Sequence, residues 1–120
     1  MIIYYLDDEL ALCDIFKTYL SDEQTQVETF SIGSDAIAAC KLKKPDLMFI
    51  DYRLSETSGD QVARALDPAI PKVLVTGELD LSVDDLFLTV IAKPYKLKSI
   101  KVFVESFNTR IIDISTNSQT

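Results

Sequence analysis

The run Lys44-Pro45-Asp46-Leu47-Met48-Phe49-Ile50-Asp51 decides the fold. Pro45 ends any helix before it, because its ring disfavours helical backbone in the preceding residue. Four apolar residues then follow without interruption and end on a carboxylate. A strand with one wet face alternates apolar with polar residues. A strand without that alternation has both faces covered, as at the centre of a parallel sheet. The stretch predicts a buried central strand that delivers Asp51 to its carboxyl end.

Working outward, the same punctuation recurs. Upstream, Ile2–Leu6 reads as a buried strand cut off by Asp7-Asp8-Glu9. Leu10–Leu20 carries Leu12, Ile15, Phe16, Tyr19 and Leu20 at helical spacing. Gln26–Phe30 can be a second strand. Ser34 can cap a helix to about Lys43, with Ala36, Ile37 and Cys40 turned inward. Downstream, Gly59–Leu66 reads as a short helix using Val62, Ala63 and Leu66. Lys72–Val75 is a buried strand ending at Thr76-Gly77, and Thr89–Ala92 is a fifth, ending at Lys93-Pro94. A last helix, from about Lys96 to Arg110, carries the stripe Leu97, Ile100, Val104, Phe107 and Ile111. Repeated strand-then-helix order implies a doubly wound α/β domain, with parallel strands and helices on both faces. The domain is expected over residues 1–112, with 113–120 as a polar tail or the start of a linker.

Composition narrows the chemistry. The chain has 120 residues, enough for one domain. A net charge of −7 argues against direct binding to nucleic acid or to an anionic membrane. No apolar run is long enough to span a bilayer, and no signal peptide is visible, so a cytoplasmic location is expected. Cys13 and Cys40 lie in apolar periodic segments and read as reduced core thiols. The absence of histidine removes a histidine base, a histidine metal ligand and any Ser-His or Cys-His pair.

Open parallel sheets bind ligands beyond the carboxyl ends of their strands. The first strand there ends in Asp7-Asp8, the third in Asp51, the fourth in Thr76 and the fifth in Lys93. Each has an ordinary explanation alone. Asp8 could cap the next helix, Asp51 and Thr76-Gly77 could be turns, and Lys93-Pro94 a strand exit with a solvated lysine. Turn chemistry does not explain three acids, a hydroxyl and a cation on one edge.

Three neighbouring carboxylates repel one another, and one is forced to protonate unless a cation joins them. Mg²⁺ suits such a site, since it is hard, takes oxygen ligands at roughly 2.0–2.1 Å and keeps several waters. Asp8 and Asp51 can hold it, with Asp7 nearby or acting through water. An ionised carboxylate is already a nucleophile. Phosphoryl transfer needs alignment and charge neutralisation more than proton chemistry, which fits a chain without histidine. Lys93 can place a point charge on a phosphoryl oxygen, and Thr76 can donate a hydrogen bond to another.

These stretches resemble the receiver domain of two-component response regulators. The resemblance runs through Tyr4-Tyr5-Leu6-Asp7-Asp8-Glu9, Lys44–Leu54, Gly59, Val73-Leu74-Val75-Thr76-Gly77 and Lys93-Pro94-Tyr95, covering residues 1 to about 110. It implies a flavodoxin-like sheet of five parallel strands in the order 2-1-3-4-5. It implies that Asp51 is the phosphoacceptor and that Asp7 and Asp8 are the acidic metal pair. The backbone carbonyl of Arg53 would be a further ligand for Mg²⁺ or Mn²⁺. Thr76 and Lys93 would be the switch hydroxyl and the phosphate-binding lysine. The implied donor is a phosphohistidine on a sensor histidine kinase or a phosphotransfer protein. The implied output is altered binding to a downstream protein or to an output domain. Such a domain catalyses its own phosphorylation and slow dephosphorylation and is not a turnover enzyme.

Three positions depart from that pattern. Val90 stands three before Lys93, where the family usually carries a rotating Tyr or Phe. Thr76 and Lys93 are seventeen positions apart. The family usually has about five more, over one helical turn, so a shortened fourth helix is expected between the fourth and fifth strands. Ser55 replaces the usual proline after Asp51, which frees an N–H and loosens the turn. Segment Glu78–Asp85 is acidic and reads as solvated surface, with a partner-facing loop ordered by phosphorylation as the functional reading. The altered region also motivates an alternative, a receiver-like scaffold not controlled by phosphate. A phosphatase with an Asp nucleophile fits poorly, since Arg53 stands where the second acid would be. A nucleotide- or flavin-binding protein fits less well still, without a glycine-rich loop.

Overall fold

A computed structural model describes the backbone of residues 1–78 and 85–118, and the side chains through Thr109. Five strands form one parallel sheet: β1 (Ile2–Leu6), β2 (Gln26–Phe30), β3 (Leu47–Asp51), β4 (Lys72–Thr76) and β5 (Thr89–Ala92). Their spatial order is β2-β1-β3-β4-β5, as the resemblance implies. Four helices are described: α1 (Leu10–Leu20), α2 (Gly33–Leu42), α3 (Gly59–Ala65) and α4 (Leu97–Ser118). The expected shortened helix between β4 and β5 falls mostly on residues 79–84, outside the described residues.

Central β3 is buried along its whole length, as its unbroken apolar run requires. The sheet's side chains divide by parity into two cores. Ile3, Tyr5, Leu47, Phe49, Val73 and Val75 meet Cys13, Phe16 and Leu20 of α1 and Ile100 and Val104 of α4. Tyr4, Leu6, Met48 and Ile50 meet Ala36 and Cys40 of α2 and Val62 and Ala63 of α3. Among the described residues, two helices therefore cover each face. Cys13 and Cys40 are free, buried and on opposite faces of the sheet. Burial pushes both thiols up to about 11, which keeps them protonated at neutral pH.

Several local expectations need correction. Helix α2 begins at Gly33 with Ile32 at its N-cap and no side-chain cap, so Ser34 lies inside the first turn and does not cap it. A Cβ on Gly33 would lie 3.0 Å from Val62 of α3 and 3.4 Å from Thr57, so the small residue admits this entry to the helix. Helix α1 follows Glu9 without a side-chain cap, so Asp8 is not its capping residue. Ile15 and Tyr19 fit the helical spacing but face outward, 49% and 42% exposed, because Cys13, Phe16 and Leu20 fill the sheet-facing side. The last helix continues past Arg110 to Ser118, since no Gly or Pro interrupts it. The expected boundary after residue 112 thus lies within continuous helix.

Candidate functional site

The parallel register aligns the carboxyl ends of the strands. Asp51 pairs with Val75, and the Tyr52 N–H donates to the Val75 carbonyl at 2.9 Å. Thr76 pairs with Ala92, and the Lys93 N–H donates to the Thr76 carbonyl at 2.8 Å. Asp7, Asp8 and Asp51 each offer a carboxylate oxygen, and these oxygens lie within 4.8 Å of one another. The Lys93 ammonium reaches Asp7 Oδ2 at 2.9 Å and Asp51 Oδ1 at 3.3 Å. Asp8, Asp51, Arg53, Thr76, Glu78 and Lys93 line one open cleft with Glu9 and Gly77. Asp7 sits beneath it, fully buried.

The three acids occupy different surroundings. Asp7 Oδ2 accepts hydrogen bonds from Tyr5 at 2.7 Å and from Lys93, while its Oδ1 accepts the Glu9 N–H at 3.0 Å. Asp8 is exposed, and the Ser55 hydroxyl donates to its Oδ2 at 3.2 Å. Asp51 is 5% exposed and meets Lys93. Burial first, then the charges of Asp7 and Asp8, push the Asp51 carboxyl up to about 6 against the opposing pull of Lys93. Burial pulls the Lys93 ammonium down, but the Asp7 and Asp51 carboxylates outweigh it, and the net shift is upward.

Two loops close the rim. Gly59 lies so close to β3 that a Cβ there would stand 2.5 Å from the Asp51 carbonyl oxygen. Its N–H donates to the Tyr52 carbonyl at 2.7 Å, fixing the start of α3 against the end of β3. Across the mouth, the Arg53 guanidinium pairs with the Glu78 carboxylate. Thr76 is buried, and its Oγ1 accepts the Glu78 N–H at 3.0 Å, which leaves the hydroxyl hydrogen free to donate.

All six residues singled out in the sequence therefore converge. Asp7 lies below the cleft, Asp8 on its rim, Asp51, Thr76 and Lys93 along it, and Arg53 beside it. The donor set is made of hard oxygens and holds neither histidine nor thiolate, which fits Mg²⁺ or Mn²⁺ better than softer metals. Sequence reasoning missed Ser55 as a partner of Asp8 and Tyr5 as a partner of Asp7. Ser55 enters the sequence reading only through its backbone N–H, and Tyr5 only as part of the buried strand Ile2–Leu6. Val90 is exposed on β5.

The family model for the response regulator receiver domain matches residues 3–105. Transcriptional regulatory protein CreB of Escherichia coli is 27% identical over 128 aligned positions, covering 97% of this chain and 54% of that protein. DNA-binding response regulator MtrA of Mycolicibacterium paratuberculosis is 28% identical over 105, covering 82% and 47%. The chain thus spans about half the length of these relatives. Among solved structures, a receiver domain from Methylobacillus flagellatus superposes with a TM-score of 0.77 at 24% identity, covering 89% of this chain and 98% of that one. One from Methanospirillum hungatei gives 0.81 at 23%, covering 93% and 97%. These two show the fold, and the family-model match across most of the chain settles membership: the protein carries a response regulator receiver domain of the two-component signalling family.

Proposed function

We propose that this receiver accepts a phosphoryl group on Asp51 from a phosphohistidine of a sensor kinase or phosphotransfer protein. The modification then changes its affinity for a downstream protein or an output domain. The single observation that carries the reading is the convergence of three carboxylates within 4.8 Å, two of them, Asp7 and Asp51, bridged by the half-buried ammonium of Lys93. Asp8 and Asp51 would hold Mg²⁺ or Mn²⁺ with the Arg53 carbonyl, and Asp7 would stand behind them. The cation would supply charge neutralisation between the Asp51 carboxylate and the incoming phosphoryl oxygens.

The residues' own part follows from their chemistry. An Asp51 oxygen attacks phosphorus, an O–P bond forms as the donor's N–P bond breaks, and the leaving imidazole takes up a proton from solvent. Asp51 acts ionised, and its pKa of about 6 still leaves it mostly so at neutral pH. Lys93 already contacts Asp51 and can turn its charge to the new phosphoryl group. Thr76 can donate its free hydroxyl hydrogen to a phosphoryl oxygen. Arg53 stands where a turnover phosphatase of the aspartyl type would need an acid, so the domain modifies itself and does not process a substrate.

An intact acid–hydroxyl–lysine edge favours this reading over a scaffold indifferent to phosphate. Among the described residues no helix is long and apolar enough to cross a membrane, which accords with action in the cytoplasm. Residues 1–112 would form the receiver unit, and the continuation of α4 to Ser118 would make 113–118 a helical link. The test is intact mass after exposure to a small phosphodonor with Mg²⁺. One phosphoryl increment on the wild type and none on Asp51→Asn is expected. A folded wild type that gains no mass would end the proposal.

A further inference from the structure

Tyr5 is a buried polar side chain for which the phosphoryl chemistry above has no role. It lies in β1, its ring stacked on Phe16 with centroids 4.1 Å apart. Its hydroxyl is 2.7 Å from Asp7 Oδ2 and 2.9 Å from the Tyr95 hydroxyl. Lys93 Nζ reaches the same Asp7 oxygen at 2.9 Å. An ionised carboxylate only accepts, and a phenol carries one proton. Tyr5 therefore gives its proton to Asp7, and Tyr95 must donate to the Tyr5 oxygen. The chain runs in one direction, from Tyr95 through Tyr5 to Asp7. With Glu9 N–H on Oδ1, three of roughly four acceptor directions on Asp7 are taken.

We propose that Tyr5 is a positioning residue: its hydroxyl, held by Tyr95, aims one oxygen of Asp7 at the Lys93 ammonium and makes Asp7 the anchor of that lysine. The idea rests on the phosphoryl reading of the site. While Asp51 is unmodified, Lys93 is shared between Asp7 and Asp51. When Asp51 carries a phosphoryl group, the ammonium turns toward it, and Asp7 Oδ2 is left with Tyr5 as its remaining donor. The Tyr5 bond strengthens, and the change passes to the Tyr95 phenol. Tyr95 lines a small apolar hollow with Leu12 and Pro94, so the state of a buried acid is read at the molecular surface. Exposed Val90 has no hydroxyl with which to carry such a signal.

The experiment uses the whole chain labelled with carbon-13 at the tyrosine Cζ, whose shift follows the hydrogen bonding of the phenol. Signals are assigned with Tyr5→Phe and Tyr95→Phe, and Tyr19, on the outer face of α1, serves as the control. Mg²⁺ is added first and beryllofluoride second, with metal binding followed by calorimetry and the fluoride adduct by its own fluorine signal. The Tyr5 and Tyr95 signals are expected to move on adduct formation while Tyr19 stays. In Tyr5→Phe the adduct still forms but Tyr95 no longer moves, and in Tyr95→Phe the Tyr5 signal still moves. A Tyr95 signal that stays fixed in the wild type despite a formed adduct, or moves as fully in Tyr5→Phe, overturns the role of Tyr5 alone. No adduct in the folded wild type overturns the phosphoryl reading and this inference with it.

Discussion

Replacing Asp51 with Asn should stabilise the metal-free protein at neutral pH, although it removes an ion pair with Lys93. The carboxyl is pushed from 3.8 up to about 6, by burial and by Asp7 and Asp8, after the opposing attraction of Lys93 has acted. The folded protein thus holds this proton more tightly than the unfolded chain. Stability is full below the unfolded value and falls as the pH rises toward about 6. Two units at about 1.36 kcal/mol each set a ceiling of about 3 kcal/mol. Water in the open cleft screens the repulsion, and about 1–2 kcal/mol is the expected gain for Asp51→Asn. Urea unfolding in a chelating buffer measures it. The variant should lead at about pH 7.5, and its lead should shrink to near zero by about pH 3, below the unfolded value of 3.8, where Asp51 is mostly protonated in both states of the wild type. Mg²⁺ at a hundredfold its dissociation constant should then add about 2.7 kcal/mol to the wild type and much less to the variant. A variant no more stable than wild type at about pH 7.5 would show that burial and the neighbouring acids do not together destabilise the ionised Asp51 carboxylate.

Asp8→Asn should weaken Mg²⁺ binding by calorimetry at least tenfold and leave urea stability nearly unchanged, because Asp8 is exposed. Lys93→Met should cost about 3 kcal/mol in metal-free urea unfolding, since it strands the buried Asp7 carboxylate without its cation. Gly59→Ala should cost about 1–3 kcal/mol, because its Cβ would meet the Asp51 carbonyl at 2.5 Å and backbone cannot swing aside as a side chain can. Lys72→Met should cost about 1–3 kcal/mol, because the buried ammonium donates to the Asp67 and Ile70 carbonyls at 3.0 and 2.9 Å and those acceptors would lose their donor.

The strands and the acid edge were legible because their signals are local. An unbroken apolar run followed by a carboxylate states both the burial of β3 and the place of Asp51. What stayed hidden depends on partners distant in sequence or on the choice among several apolar residues. Tyr5 looks like any core aromatic until Tyr95, ninety positions away, meets its hydroxyl. Ser55 was read for the N–H it frees, but its hydroxyl reaches Asp8, forty-seven positions back. Helical spacing offered five apolar residues on α1 where the sheet had room for fewer, so Ile15 and Tyr19 turned outward. Lys72 lies in a strand that reads as buried, yet the partners of its ammonium are not legible in the sequence. A lysine at a strand end normally reaches solvent, whereas here two carbonyls of the preceding loop satisfy it.

The geometry also gives a reason why one acid of three would be the nucleophile. A carboxylate oxygen loses nucleophilic character with every hydrogen bond it accepts, and loses access with burial. Asp7 is fully buried and accepts from Tyr5, Lys93 and the Glu9 N–H, so its charge is spent within the protein. Asp8 is exposed and well hydrated, free to serve as a ligand but without the desolvation that raises reactivity. Asp51 alone combines little exposure, an upward-shifted pKa and a place on the cleft wall beside Thr76 and Lys93. Its raised basicity favours attack, and a cation would offset the repulsion of its neighbours. Single-phosphodonor labelling should map to residue 51 in the wild type, and label found on Asp7 or Asp8 instead would show that burial and hydrogen bonding do not rank the three acids.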